Sequence, residues 1–350
     1  MASVQSNPPI ARLPIELFAE VVEHIRSQHD LCSLRLTSRA WQSISEPKIY
    51  HSIDSRSRTR TEAFCQLMIS SPRLGPCVRA LKFANDDRQS PAPANFWSVV
   101  AEALKLMPLL EVLWIHDGFD NPNAWVLHGC SFVLKELACD FALEDSFAEF
   151  LHTQPSITTL HWNNPHPPWI TVPVLHTLLS DALPNLRVLH TDSTDMASKL
   201  VPGHPITHLW VTNDPVEVIR SFTPLAALST GPLKSLRMAF PFQKEWVSES
   251  LAALALHAPE LRTLGFLRPF THKDHDLILA ISQFKHLHTL VLWNVITPDT
   301  LRALEAACPA LRAVACLHYS YSSEYIHIPL HPLGTPRALH DPNASLWKDI

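Results

Sequence analysis

Glycine is scarce in this sequence, with 7 residues in 350, beside 30 prolines. An average chain holds about 7% glycine and about 5% proline, so the usual balance is inverted. Loops that cradle phosphate depend on glycine, and no G-x-G-x-x-G or G-x-x-x-x-G-K-[ST] occurs. The G-x-S-x-G of a nucleophile elbow is missing too. The 7 cysteines are odd in number and include no C-x-x-C pair, which argues against a disulfide framework or a zinc knuckle. Packed thiols in a reducing compartment are the simpler reading. No uncharged apolar run approaches the roughly 18 residues of a membrane span. The polar first nine residues lack the apolar centre of a signal peptide, so the Asn343-Ala344-Ser345 sequon has no secretory context. The expected location is cytoplasm, nucleus or both. A net charge of −5 supplies no overall basic field for nucleic acid.

What is present is a folding composition: 46% of residues are apolar and 17% charged. At roughly 150 residues per domain, the length suggests about two domains. The frequent prolines must punctuate many short elements.

Residues 10–53 read as three short helices. Pro14 suits a first helical turn, and Leu17, Val21, His24 and Ile25 fall on one face behind it. Asp30 can cap a second helix carrying Leu31 and Leu34, and Ser38 a third that holds Trp41 and ends before Pro47. So small a unit buries too little surface to stand alone. Its apolar excess must meet either a protein partner or the rest of this chain.

The run LPIELFAEVVEHI followed by DLCSLRLTSRAWQSISEPKIYHSI resembles an F-box in order, spacing and residue type. The resemblance implies a three-helix module that docks on a Skp-type adaptor, and through it on the cullin of a cullin–RING (SCF-type) ubiquitin ligase. It would place Leu13, Pro14, Ile15, Leu17, Ile25, Leu31, Leu34 and Ser38 at or near the adaptor surface. Trp41 and Val21 suit the core of the small bundle equally well. Residues 54–60, with three arginines, read as a basic linker.

From residue 61 a second pattern recurs: an amphipathic segment, a proline, then L-x-x-L with an apolar residue two further on. The fourth position of the motif is Leu81, Leu113, Leu137, Leu160, Leu189, Leu209, Leu236, Leu264, Leu290 and Val314. The mean step between them is about 26 residues, inside the leucine-rich-repeat range. The usual closing asparagine is mostly missing and repeat lengths vary.

Residues 61–318 thus resemble a leucine-rich-repeat solenoid of about ten degenerate repeats, and 319–350 a C-terminal cap and tail. Tyr325, Ile326 and Ile328, with Tyr319 and Tyr321, suit one last strand, and 331–345 read as loop. The expected fold class is α/β: a three-helix F-box, then an irregular solenoid with parallel strands on a concave face and helices outside. An F-box followed by such repeats resembles fungal-type substrate receptors of SCF ligases.

In the repeats the leucines point into the core and the alternate residues point out. The central outward column contains Trp114, His161, His190, Trp210 and Arg237, residue types common in interface hot spots. The column is therefore the candidate target-binding surface, unless the register is shifted by one residue. Phe83, Trp162 and Phe266 fall on inward positions. His272-Lys273-Asp274-His275-Asp276 and His166 carry ligand-type atoms without a metal motif. Nothing in the sequence positions a nucleophile beside a base. The expectation is a non-catalytic adaptor with no cofactor or metal, joining a Skp-type protein to an unknown target, with neither nucleic acid nor membrane as partner. A Skp-bound or free-standing scaffold without ubiquitination is the alternative.

Overall fold

The computed structural model describes residues 14–84, 91–117, 121–163, 181–211, 225, 227–238, 244–267, 273–292, 296–317, 324–330 and 337–340. The chain divides into two compact units, residues 1–118 with 125–134, and residues 119–124 with 135–350.

The first unit begins with three helices, α1 (Ile15–His24), α2 (Gln28–Arg35) and α3 (Arg39–Tyr50). Ser38 caps α3 as expected, its hydroxyl accepting from the Trp41 N–H at 3.3 Å. The cap of α2 is Ser27 instead of Asp30: the Ser27 hydroxyl accepts from the Asp30 N–H, so the helix starts earlier and Asp30 sits in its first turn. Pro47 does not end α3, which runs through it to Tyr50. Phe18, Val22, Leu31, Ile49 and Tyr50 are buried, and the Phe18 and Trp41 rings meet with centres 4.3 Å apart.

The chain leaves α3 directly into β1 (Ser52–Ser55) and then α4 (Arg58–Ser70). The stretch read as a basic linker, 54–60, therefore holds the end of a strand and the first turn of a helix. Strand β1 pairs in parallel with β2 (Ala80–Ala84), and β2 with β3 (Val112–His116). Helix α5 (Ala94–Lys105) lies between β2 and β3 in sequence, and its Trp97, Val100 and Leu104 are buried together with Leu81 and Leu113.

The second unit repeats the same theme. Strands β4 (Glu136–Cys139), β5 (Thr159–Trp162), β6 (Val188–Thr191), β7 (His208–Val211), β8 (Ser235–Met238), β9 (Thr263–Leu267), β10 (Thr289–Leu292) and β11 (Ala313–Leu317) pair in parallel and in sequence order. Helices α6 (Asp145–His152), α7 (Thr194–Leu200), α8 (Lys244–His257), α9 (His275–Ser282) and α10 (Pro298–Ala307) alternate with them. Thr297 caps α10, with Pro298 in its first turn. The motif leucines share one register: Leu137, Leu160, Leu189, Leu209, Leu236 and Leu264 oppose one another across successive strands, and all are buried. Trp162 points into this core and donates its indole N–H to the Phe141 carbonyl at 2.8 Å. Phe83 is likewise buried in the first unit, while the Phe266 side chain lies outside the described residues.

The sheet ends in two antiparallel strands, β12 (Glu324–Pro329) and β13 (Arg337–His340). The expected last strand is present, but residues 337–340 extend the sheet instead of forming loop. The reversal of strand direction ends the parallel series, and β13 is the last strand of the sheet. Tyr319 and Tyr321 lie outside the described residues.

Candidate functional site

Helix α1 shows two faces. Phe18 and Val22 turn inward, whereas Ile15 is 59% exposed, Leu17 44% and Val21 47%. Leu36, just beyond α2, is 80% exposed. Four large apolar side chains thus stay open on this small bundle. Of the residues assigned to the adaptor face, Pro14 is exposed at the head of α1, and Ile25 and Leu34 are half-buried. Ser38 is exposed and serves as a helix cap. Leu31 is buried in the bundle instead, at 4% exposure. Leu13 lies outside the described residues. Val21 and Leu36 were not singled out for this face. In sequence nothing separates Val21, one residue from buried Val22, from the core.

A polar contact between buried Glu46 and exposed Arg73 fastens α3 to the turn at Pro72–Cys77. The Glu46 carboxylate accepts from both terminal nitrogens of Arg73, from Nη2 at 3.0 Å, and from the Gln42 amide at 2.8 Å. These donors hold the Glu46 carboxyl below the usual carboxylate range, the Arg73 hydrogen bond contributing most, against burial that pushes it up. Arg35 donates to the Tyr50 hydroxyl at 2.8 Å, and Lys48 donates to the Val22 and Glu23 carbonyls, closing the end of α1. These contacts tie the three helices to one another and α3 to the turn that follows α4.

On the sheet, His161, His190, Trp210 and Arg237 stand in register on successive strands. The Nδ1 atoms of His161 and His190 are 3.1 Å apart, with the rings edge to face. His190 stacks on Trp210 at 4.0 Å between centres and 7° between planes. The Arg237 guanidinium covers the other side of Trp210 at 4.2 Å, in cation–π geometry. The column is thus a continuous stack, and both faces of the Trp210 indole are occupied.

Arg237 departs from the expectation of an outward, accessible residue: it is fully buried, at 0% exposure. Its stem lies over Gly265 and its guanidinium over Trp210, which leaves it no open side. From β8 onward most of the same face is covered: Ser235, Thr263, Gly265, Val291, Ala313 and Ala315 are buried and Thr289 is half-buried. The accessible stretch lies on β5 to β7, where His161, His190 and Trp210 are half-buried. Trp114 belongs to the first unit, where the Lys82 ammonium sits 3.8 Å from its ring centre.

Among the described residues no group of three or more His, Cys, Asp or Glu is arranged to hold a metal ion. His166 and His272 of the sequence's ligand-type stretches lie outside them. Burial pushes the Cys65 thiol up to about 12 and those of Cys130, Cys308 and Cys316 to about 11. A protonated, buried thiol is a packing group and a poor nucleophile. Among the described residues no helix is long and apolar enough to cross a membrane.

Residues 10–56, which span the three helices and β1, match the family model described as F-box-like. No curated protein matches the chain. Among solved structures, an internalin from Listeria monocytogenes is similar over 86% of this chain and 87% of its own, at 10% identity and a TM-score of 0.33. The chain thus carries an F-box-like domain, followed by the strand–helix repeats described above.

Proposed function

We propose that this protein is the non-catalytic substrate-recognition subunit of an SCF-type cullin–RING ubiquitin ligase. The observation that carries the reading is the coincidence of the F-box-like segment with the open apolar face of Ile15, Leu17, Val21 and Leu36. A Skp-type adaptor covers that face and links the chain to the cullin. The half-buried stretch of His161, His190 and Trp210 receives a target protein. Its rings are held by stacking before any partner arrives, so little side-chain freedom is lost on binding. The protein acts by raising the concentration of its target near the ubiquitin-loaded enzyme, without chemistry of its own.

The test is capture of a purified Skp-type adaptor by the full chain and by an Ile15→Ala/Leu17→Ala variant. Circular dichroism serves as the folding control. Both side chains are exposed, so the variant is expected to fold and to lose capture. Equal capture by both proteins, or none by the folded native chain, contradicts the reading.

A further inference from the structure

The second position of the repeat motif forms a file of its own along the edge of the second unit's sheet. It reads Lys135, Thr158, Arg187, Thr207, Lys234, Arg262, His288 and Arg312. Each backbone N–H in this file donates to the carbonyl of the residue before it in the file. The distances from Thr158 to Arg312 run 2.9, 2.9, 2.8, 2.8, 2.7, 2.8 and 2.8 Å. The eight residues therefore stand one above another, about 4.8 Å apart, over roughly 34 Å. Five are Lys or Arg, one is His and none is acidic, in a chain whose net charge is −5. Lys135, Arg187, Arg262 and Arg312 are exposed, and Lys234 and His288 half-buried. No ion pair involves Arg187, Lys234, Arg262 or Arg312 among the described residues.

We infer that this file is a docking strip for an extended acidic segment of a protein. The inference deepens the substrate-receptor reading above by naming the chemistry of the target. A strip one side chain wide matches one extended chain. At about 3.3 Å per residue its length takes roughly ten residues. Carboxylates and phosphates are both recognised by such cations. Single-stranded nucleic acid is disfavoured because the file has no Phe, Tyr or Trp ring on which bases could stack.

The test is fluorescence anisotropy with the full-length chain at low salt and four labelled probes of about ten units, the span of the strip. These are a glutamate peptide, a peptide with phosphoserine at alternate positions, a glutamine–serine peptide and oligouridylate. Saturable binding of the glutamate or the phosphoserine probe, but not of the glutamine–serine probe, is expected, and it should weaken as salt is added. Whichever acidic probe binds more tightly identifies the source of negative charge. An Arg262→Gln/Arg312→Gln variant should bind at least about tenfold more weakly with an unchanged melting curve, as expected from two lost charge-assisted contacts. Arg302→Gln, on α10, should bind like the native chain.

No saturable binding, equal binding by the Arg262/Arg312 variant, or tighter binding of oligouridylate overturns the inference. Adaptor capture is measured on the same preparations. Acidic-peptide binding without any adaptor capture would sink the ligase reading and leave the strip standing.

Discussion

The guanidinium carbon of Arg237 lies 4.2 Å from the centre of the Trp210 ring, while the stem of the same side chain fills the space above Gly265. One arginine thus joins two neighbouring strands, β7 and β9, to its own. A methyl group at residue 265 would lie 2.7 Å from the Arg237 Cγ, too close for the stem to remain where it is. Gly265→Ala should therefore push Arg237 off Trp210 and cost about 1–3 kcal/mol, as overpacking does. In an Arg237→Ala background the obstruction is gone, and the same change should be nearly neutral. Urea denaturation of the four proteins measures the coupling. An equal cost in both backgrounds would show that residue 265 is constrained by its backbone and not by the stack.

Glu46 and Arg73 give the first unit a pH-dependent fastening. The carboxyl is held below its usual range in the folded state, chiefly by Arg73, so its contribution is present above the ordinary carboxylate pKa. That contribution is lost as pH falls through the folded value. Arg73→Ala should lower the melting temperature near pH 7, because it strands a buried carboxylate. The gap between variant and native chain should narrow at an acidic pH below the folded value, where the carboxyl is protonated in both proteins. Thermal melts followed by circular dichroism at the two pH values decide the point. A gap of the same size at both would assign the contact to packing instead of charge.

The parts legible in the sequence were those that a single element carries in itself. Leu137, Leu160, Leu189 and their counterparts announce the repeat because every strand must bury the same face in the same way. Ser38 announces a helix start because its hydroxyl satisfies a nearby N–H. Strand alternation alone placed His161, His190, Trp210 and Arg237 in one column. What the column becomes depends on neighbours distant in sequence. The burial of Arg237 follows from a glycine 28 positions away on the next strand. Leu31 went inside and Val21 outside because both depend on how three short helices pack, and their apolar faces are wider than one stripe. The cationic file escaped notice because net charge averages it away. No short window holds more than one of its members, and it exists only once the strands are paired.

His288 stands in that file between Arg262 and Arg312. Burial first, then Arg312, Arg262 and His286, hold its imidazole below the usual value of 6.5, so it is neutral at pH 7. In the free protein this depression costs stability as pH falls through the ordinary histidine pKa, because the unfolded chain then takes up the proton more readily. An acidic peptide laid along the strip would offset the neighbouring cations and draw a proton onto His288. Binding that takes up a proton grows stronger as pH falls, by linkage. Affinity for the glutamate probe should therefore rise between about pH 7.5 and pH 5.5, a window in which its carboxylates stay ionised. His288→Gln should retain binding at pH 7.5 but lose the rise. The glutamate probe suits this better than the phosphoserine probe, whose own second ionisation near pH 6 would mask the effect. Anisotropy titrations across the window make the measurement. A flat profile in the native chain, or an unchanged rise in His288→Gln, would mean that this imidazole does not sense what lies on the strip.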